Sequence, residues 1–425
     1  MVRQHLRLLF RKDAPVQITL ANLTAFALTF ITAPMIARAI GPSGRGETAA
    51  ALAAFVITPV LLAVGLPLEF RRRCASGIDA PSVRSGRDLV LFSFLPALCV
   101  AFVFTSTIFS SASASLRVVA FVGLASAPLT MSWALDAGAL VGSGRYRAVA
   151  LLRIVQPLVV FCSIPFLWWA NVLIPEVVLL VYLAGTLVTS ISGLVLVRVG
   201  ISGKRANHAT LLRGGIAYAG SAIAEAASAR IDQVLVLPLI GAAETGYYSV
   251  ASSIATLPMA LGQALGADYF REMSRSTQAN ERRRVVSRSL GEIVSIGVPA
   301  CLALGLASIW LLPLVFGSEF ESSVRLLMWL LPGAAASAAA YVGSMLLAAL
   351  GRGRTMAVSQ LVSLAVGVIL LYVLAPAWLG VGAALASAAS SIVLLTIQLL
   401  SLRAPIWVLL PRWRRLQGAV RSLMG

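Results

Sequence analysis

The stretch VQITLANLTAFALTFITAPMIARA, at residues 16–39, decides the fold, because it contains a single charged side chain, that of Arg38. A helix needs about 20 apolar residues to cross the hydrocarbon core of a bilayer, and only helices and closed barrels satisfy their backbone groups there. Barrel strands are segments of about ten residues with alternating polarity, and this run is longer and uniformly apolar. It therefore predicts a transmembrane helix.

Similar segments recur along the whole chain. Soluble domains are about 25% charged, whereas this sequence is 12% charged and 59% hydrophobic. We therefore expect an all-α polytopic membrane protein with about 12 transmembrane helices. The further segments are residues 48–70, 89–110, 118–141, 148–170, 176–197, 216–239, 247–270, 290–316, 324–350, 356–376 and 379–402.

The basic residues predict how these helices are oriented. The net charge is +18, and 29 of the 34 Lys and Arg residues fall in cytoplasmic segments if the N-terminus is cytoplasmic. Such asymmetry is the positive-inside signature. We therefore expect both termini in the cytoplasm and contact between the basic loops and anionic membrane lipids. This distribution argues against a nucleic-acid partner.

An internal repeat relates residues 16–197 to residues 216–402. It predicts a basic N-terminal segment (1–15), an N-lobe (16–197), a cytoplasmic linker (198–215), a C-lobe (216–402) and a basic tail (403–425). Six helices return the chain to its starting side, so the lobes should be related by a pseudo-two-fold axis along the membrane normal, as in transporters with a substrate path between repeats. The matching positions are Gly41 and Gly241, Pro59 and Pro258, Phe70 and Phe270, and residues 144–147 and 351–354.

Ionisable groups inside a membrane are costly and mark functional sites by default. Glu225 and Asp232, seven residues apart on one helix face, predict either a coupling-cation or proton site or a structural network. Arg230 on the same helix could form an interhelical ion pair or contact an anionic substrate. Asp136 could be a gate residue that pairs with a cytoplasmic arginine, or a polar packing group.

Three further polar residues lie in or near the first predicted helix. Asn22 is inside it, and Arg38 in its last outer turn could snorkel to the headgroups or line a cavity. Arg45 is placed in the outer loop that follows. No Ser-His-acid set, metal-ligand spacing or phosphate-binding glycine loop is present in the sequence, so we expect neither an enzyme, a catalytic residue, a metal site nor a bound cofactor.

Two motifs resemble a known family. The segment around Arg38 and Gly41, Ala-Arg-Ala-Ile-Gly-Pro-Ser-Gly-Arg-Gly, is similar to a turn of bacterial polysaccharide biosynthesis flippases, and Arg230-Ile-Asp-Gln…Ile-Gly241…Thr-Gly246-Tyr-Tyr resembles the start of their second half. The family belongs to the multidrug/oligosaccharidyl-lipid/polysaccharide exporter superfamily. The resemblance implies two six-helix lobes in the cytoplasmic membrane of a bacterium.

The implied activity is ion-coupled alternating access that flips a polyprenyl-diphosphate-linked oligosaccharide from the inner to the outer leaflet. Polysaccharide polymerases or glycosyltransferases are the implied partners. Arginine suits phosphate, so the predicted substrate-binding residues are Arg38, Arg230, Asn22 and Arg45. The predicted coupling site for Na⁺ or H⁺ comprises Glu225, Asp232 and Asp136.

Two alternatives remain open at this stage. A multidrug and toxin exporter would share the two lobes, but it would carry cations and favour acids without arginine in its cavity. A non-transporting scaffold for polysaccharide assembly would tolerate loss of each intramembrane polar residue.

Overall fold

The computed structural model describes residues 16–409 and is built from helices; no strand occurs in that range. The predicted segment 1–15 and the part of the predicted tail beyond residue 409 lie outside it. The α-helices are α1 (Val16–Ala63), α2 (Leu66–Arg73), α3 (Ala80–Phe92), α4 (Phe94–Thr107), α5 (Ala114–Ala125), α6 (Ala127–Gly142), α7 (Tyr146–Trp169), α8 (Pro175–Val197), α9 (His208–Ile240), α10 (Ala242–Ala255), α11 (Met259–Arg275), α12 (Ala279–Phe316), α13 (Ser322–Ala349) and α14 (Gly353–Leu402).

Within residues 16–409, nine helical stretches are long and apolar enough to span a membrane. Two of them are too long for one crossing, because 48 residues at 1.5 Å each give about 72 Å and the hydrocarbon core is about 30 Å thick. Each is interrupted by one non-helical residue, Gly41 in α1 and Leu379 in α14. The two breaks raise the number of spans to eleven, and α9, with its charged residues, is the twelfth. The predicted all-α fold with twelve spans is confirmed.

The predicted outer loop at residues 40–47 is wrong. Gly41 alone interrupts the helix, and helical structure resumes at Pro42. Proline is favoured at the first position of a helix because its φ is already helical and its missing N–H would have no partner there. Arg45 therefore lies on a helix rather than in a loop, and it is 9% exposed.

The repeat is visible in the backbone at the junction after the first helix of each half. Gly41 has φ 67° and ψ −179°, and Gly241 has φ 83° and ψ 171°. This region of φ and ψ is open almost only to glycine. Both halves therefore turn from their first to their second helix through the same glycine conformation.

The turns at residues 144 and 351 also match. Gly144 and Gly351 adopt φ values of 73° and 70°. The N–H of Arg145 donates to the carbonyl of Leu140, and that of Arg352 donates to the carbonyl of Leu347, both at 2.9 Å. These are Schellman motifs, in which an αL glycine closes a helix. The repeat therefore extends to the hydrogen bonds that end the helix before each turn.

Contacts between Cα atoms divide the chain into two compact units, one ending at Val234 and the other beginning at Leu235. This division falls within α9, whereas the sequence predicts the lobe boundary in the linker 198–215; that boundary stays a prediction. The linker packs on α3. Arg84 donates to the carbonyls of Gly200 and Lys204 at 2.9 and 3.1 Å, and Arg205 pairs with Asp88 at 2.7 Å.

Large apolar side chains cover the outside of the helices. On α12, Leu302, Leu306, Trp310 and Leu314 are 62–71% exposed and recur every fourth residue, which places them along one helix face. An apolar stripe of this kind has no favourable contact with water. It is the surface expected of a helix that faces lipid.

We expect Gly41→Ala and Gly241→Ala each to lower stability by about 1–3 kcal/mol, because a Cβ is strained in this conformation. Gly297→Ala is the control, since a Cβ there meets nothing within 4 Å and the residue is helical. Alanine should leave that helix unchanged or stabilise it by up to about 1 kcal/mol. Thermal unfolding of the purified variants measures the difference. Equal melting temperatures for all three would contradict the assigned role of the junction glycines.

Candidate functional site

Two arginines lie within electrostatic range of each other at the predicted outer end of the first unit. Arg45 lies four residues after the Gly41 junction on α1, Tyr182 lies on α8, and Arg230 lies on α9. The three side chains are close enough to interact electrostatically with one another. We call Arg45, Tyr182 and Arg230 the arginine cluster.

The arginine cluster is not neutralised by acids of the described chain. The Nε of Arg45 is buried and has no hydrogen-bond partner among residues 16–409. Arg230 is exposed, and its Nη1 donates to the neutral amide oxygen of Gln233 at 3.2 Å. Across the same residues, no ion pair within 4.0 Å involves either guanidinium.

This arrangement favours an anion. Two like charges repel each other, more strongly where water is excluded, and a buried cation is costly unless it is paired. Phosphate and carboxylate oxygens match the planar guanidinium and can accept two parallel hydrogen bonds from it. Within residues 16–409 the arginine cluster therefore lacks a negatively charged partner.

The carboxylates Glu47 and Glu176, of α1 and α8, interact with each other rather than forming an ion pair with Arg45. Glu176 accepts hydrogen bonds from the hydroxyls of Ser115 at 2.5 Å and Ser113 at 3.3 Å. Arg38 lies three residues before Gly41 and is exposed. The sequence prediction included Arg38, Arg45 and Arg230; the structure brings Arg45 and Arg230 together and adds Tyr182.

A second polar contact lies nearer the beginning of α1 and α7. Arg153 donates from Nη1 to the Oδ1 of Asn22 at 3.1 Å, linking the two helices. Asn22 was among the predicted substrate-binding residues, whereas Arg153 was not. Arg153 lies seven residues into α7, about 10 Å from its start. Gly144, which ends the preceding helix, could have indicated that α7 begins well before Arg153.

The acidic candidates do not form a single site. Glu225 is exposed and Asp232 is half-buried on α9, where seven residues of continuous helix keep them on one face, about 10 Å apart. Asp136 packs elsewhere, against Arg87 and Gly193. Among the residues the structure describes, no group of three or more His, Cys, Asp or Glu side chains could hold a metal ion.

Asp136 is 4% exposed and lies in the interior of the first unit. Its Oδ1 is 3.8 Å from Nη2 of Arg87, while Nη1 of Arg87 donates to the carbonyl of Val199 at 3.1 Å. A Cβ added to Gly193 would come within 2.8 Å of the Asp136 carboxylate. Within residues 16–409 the other oxygen, Oδ2, has no hydrogen-bond partner. The pair therefore links α3 to α6, and one oxygen of the Asp136 carboxylate can still accept a hydrogen bond.

Each unit also has a buried carboxylate near the predicted cytoplasmic end of its second transmembrane span, Glu69 on α2 in the first unit and Glu292, on α12 against Tyr269 of α11, in the second. Glu69 on α2 is 1% exposed and contacts Arg72 at 2.6 Å and Arg73 at 2.7 Å. The buried carboxylate therefore has two cationic partners within its own helix.

In the second unit, Glu292 is 4% exposed and accepts hydrogen bonds from Tyr269 and, at 3.1 Å, from Nε of Arg288. The guanidinium carbon of Arg288 lies 5.9 Å from the centre of the Tyr269 ring. Tyr269 occupies the repeat position of Glu69. The two halves thus place different residues at this position, and each secures a buried carboxylate with arginine.

A double-mutant cycle distinguishes structure from function at Asp136. Breaking a buried pair by removing one partner costs about 3–5 kcal/mol, whereas removing both costs less. If the pair is structural, we expect Asp136→Asn to unfold at a lower temperature and Arg87→Gln/Asp136→Asn to recover part of the loss. Thermal unfolding of all four proteins gives the coupling. A stable Asp136→Asn protein with no coupling to Arg87 would show that the pair does not hold the helices together.

Comparison with known proteins identifies the family. The model of the family described as "Polysaccharide biosynthesis protein" matches residues 16–264, which is more than half of the chain. No curated protein sequence matches the chain significantly.

The fold is similar to that of solved membrane proteins of low sequence identity. "Lipid II flippase MurJ, inward closed conformation" aligns with a TM-score of 0.78 and 12% identity, covering 96% of this chain and 92% of that one. An inward-facing multidrug resistance transporter of the MATE family aligns with a TM-score of 0.65 and 15% identity, covering 93% and 96%. A transporter of the same superfamily from Pyrococcus furiosus aligns with a TM-score of 0.56 and 14% identity, covering 96% of both chains. The chain is therefore a multi-pass membrane protein that belongs to the polysaccharide biosynthesis protein family and has the two-lobe fold of the multidrug/oligosaccharidyl-lipid/polysaccharide superfamily.

Proposed function

We propose that the protein flips a polyprenyl-diphosphate-linked oligosaccharide from the inner to the outer leaflet of a bacterial cytoplasmic membrane. The observation that carries this proposal is the arginine cluster, in which Arg45 is buried beside Arg230 and is not neutralised by the described chain. A diphosphate supplies the missing negative charge. The family and the fold support a role in moving a precursor of a cell-surface polysaccharide.

The polar groups of the first unit support a substrate path with two binding sites for the headgroup. Arg153 and Asn22 lie in the predicted inner half, and the arginine cluster lies at the predicted outer end. A headgroup that leaves the site at Arg153 and Asn22 would contact cationic side chains again at the arginine cluster. Arg38, exposed one turn from the Gly41 junction, adds a further cation near the exit.

The same charges disfavour a cation exporter. A cationic drug at the arginine cluster would face two guanidinium groups and gain no carboxylate in exchange. Like charges brought together cost several kcal/mol where solvent is excluded. We therefore place this chain with the carriers of anionic lipid-linked sugars rather than with the multidrug exporters that share its fold.

The coupling ion is proposed to be Na⁺ or H⁺. Glu225 and Asp232 share one face of α9, and Asp136 offers a buried carboxylate with one free oxygen among the described contacts. Polysaccharide polymerases or glycosyltransferases would supply or consume the substrate, as partners at the membrane.

Transport should depend on the arginine cluster. Hydrogen bonds to charged groups contribute about 1.5–3 kcal/mol each, so we expect Arg45→Gln and Arg230→Gln each to slow transport by about 10- to 100-fold. The assay follows undecaprenyl-diphosphate-linked N-acetylglucosamine across the membrane of proteoliposomes that contain the full chain. Arg117→Gln is the control, because Arg117 is an exposed arginine at the same predicted side of the membrane.

Each variant must elute as a monodisperse protein with a melting temperature close to that of the wild type before its rate is compared. Wild-type transport by Arg230→Gln would overturn the assigned role. Efficient export of a cationic dye, with no movement of the lipid-linked sugar, would favour the multidrug exporter instead.

Coupling is tested by imposing one gradient at a time. We expect a Na⁺ or a proton gradient to accelerate transport in wild-type proteoliposomes, and Glu225→Gln or Asp232→Asn to abolish the acceleration while leaving gradient-free exchange intact. Glu319→Gln, outside the proposed site, is the control. If transport by the wild-type protein is indifferent to both gradients, the coupling role of these carboxylates is wrong.

A further inference from the structure

Arg87 of α3 connects a buried carboxylate of the first unit with the linker 198–215. Its Nη2 is 3.8 Å from Oδ1 of Asp136 on α6, and its Nη1 donates to the carbonyl of Val199 at 3.1 Å. We propose that Asp136 binds a proton rather than Na⁺, and that its protonation releases Arg87 and loosens the linker from α3. This inference rests on the proposed function in that it names the ion for one carboxylate of the coupling site.

The helix crossing at Asp136 has an equivalent in the second half. Asp136 and Gly343 each lie eight residues before the glycine of a Schellman motif. Gly193 and Gln398 each lie five residues before an arginine that ends its helix in the αL conformation, with φ 55° and 52°. Asp136 and Gly193 in the first half therefore correspond to Gly343 and Gln398 in the second.

The second half builds this crossing without a charge. A Cβ added to Gly193 would come within 2.8 Å of Oδ2 of Asp136, and one added to Gly343 would come within 2.5 Å of Oε1 of Gln398. The polar residue and the glycine have thus exchanged helices. Nε2 of Gln398 donates to the hydroxyl of Ser344 at 2.8 Å. Because a neutral amide is enough to join the helices there, packing alone does not explain the negative charge of Asp136.

The surroundings of Oδ2 of Asp136 favour a proton over a metal cation. Within residues 16–409 this oxygen is buried and has no hydrogen-bond partner, and the close backbone of Gly193 leaves little space beside it. A Na⁺ ion there would add a second positive charge near Arg87, and like charges repel strongly where water is excluded. A proton instead neutralises the carboxylate and takes almost no additional space.

Few charges act on Asp136. It lies on α6, which packs against α1, α2, α3, α7 and α8, and among the described residues Arg87 is the charged group that interacts with it electrostatically. On α2, Glu69 contacts two arginines of its own helix, and on α7 Arg153 donates to Asn22. The charged residues within α1 and α8 are at the predicted outer end. The charge of Asp136 is therefore felt mainly by Arg87.

Protonation of Asp136 would change the environment of Arg87. The Nε and Nη2 atoms of Arg87 are buried and have no hydrogen-bond partner in the described part of the chain. A buried cation without a counter-charge is costly, and the Arg87 side chain is 23% exposed. Its guanidinium can therefore turn toward the cytoplasmic water when the carboxylate is neutral. The hydrogen bond to Val199 would then break.

That hydrogen bond holds the beginning of the linker, and other residues of α3 hold its later part. The hydroxyl of Ser85 donates to the carbonyl of Ala206 at 2.7 Å, and the N–H of Ala206 donates to the carbonyl of Pro81 at 3.2 Å. With one anchor lost, the linker would leave α3 more often. The N–H of Ala206 reports this event, because it exchanges with solvent when its bond to Pro81 opens.

Hydrogen–deuterium exchange of the purified full chain, without substrate, tests the inference. For the peptide that contains Ala206, we expect the wild type at about pH 8 to exchange about tenfold more slowly than Arg87→Gln. The two rates should converge as the pH falls to about 5, and comparison at equal pH removes the chemical pH dependence of exchange. Asp136→Asn should match Arg87→Gln at every pH. Glu292→Gln is the control, because it neutralises a buried carboxylate beside an arginine in the other unit.

The direction of the pH effect separates Asp136 from the histidine of the linker. Histidine changes charge in the same pH range, and Nε2 of His208 is 3.1 Å from Oδ2 of Asp88 on α3. Protonated His208 would attract Asp88 more strongly and tighten the linker on acidification. Faster exchange of the wild type relative to Arg87→Gln at low pH therefore has the sign expected of Asp136.

Infrared difference spectroscopy measures the proton directly. Acidification of the wild type should produce a protonated-carboxyl band that Asp136→Asn lacks, and replacing K⁺ by Na⁺ at constant pH should leave linker exchange unchanged. A pH-independent ratio between the wild type and Arg87→Gln would overturn the inference, as would protection of the linker by Na⁺. If Asp136→Asn does not fold, the pH dependence of this ratio decides alone.

The absence of substrate keeps this test separate from the transport assay. A linker that responds to protons in a protein that does not move the lipid-linked sugar would remove the proposed function and leave the proton site standing. Transport by a protein whose linker ignores pH would do the reverse.

Discussion

Inside the hydrocarbon core there is no water to bond a backbone N–H or C=O, and this constraint governs the rest of the structure. It makes each crossing a helix, and at two junctions the chain passes from one helix to the next through a single non-helical residue. These residues are Gly41, at φ 67°, and Leu379, at φ 51°. Because the helices satisfy the backbone hydrogen bonds, the few polar side chains inside the membrane are the groups that still need partners. Each must find a partner in the protein or a ligand.

The two halves reuse one backbone plan but differ in these polar side chains. Gly41 and Gly241 share a conformation, yet the residue four positions later is Arg45 in the first half and Thr245 in the second. Thr245 is buried and donates its hydroxyl to the carbonyl of Gly241 at 2.7 Å, so it needs nothing further. The buried Nε of Arg45, in contrast, has no hydrogen-bond acceptor among the described residues. The two halves therefore share the backbone at this junction, and the difference between Arg45 and Thr245 places a buried positive charge in the first half alone.

The spans could be predicted from the sequence because twenty apolar residues have few alternatives to a membrane helix. Side-chain environments were less accessible. The burial of Arg45 was missed because hydropathy ends the first helix at a charged, glycine-rich stretch, whereas the helix resumes after one residue. Tyr182 gave no signal, since its place beside two arginines depends on how α8 packs. The sequence left open whether Asp136 pairs with a cytoplasmic arginine or is a polar packing group. The packing of α3 against α6 identifies Arg87 as its partner.

Charge is treated differently at the two ends of the first unit. The buried carboxylate of Glu69 contacts two arginines at 2.6 and 2.7 Å, and that of Asp136 lies 3.8 Å from Arg87, so each has at least one cation as a partner. At the arginine cluster the cations lack that compensation among the described residues. A ligand that binds one conformation better than another shifts the population toward it. An anion at Arg45 and Arg230 would therefore favour the arrangement described here over any in which the two guanidiniums separate, and its release would remove that preference. If the proposed substrate is that anion, its charge would influence the conformational equilibrium through electrostatics alone.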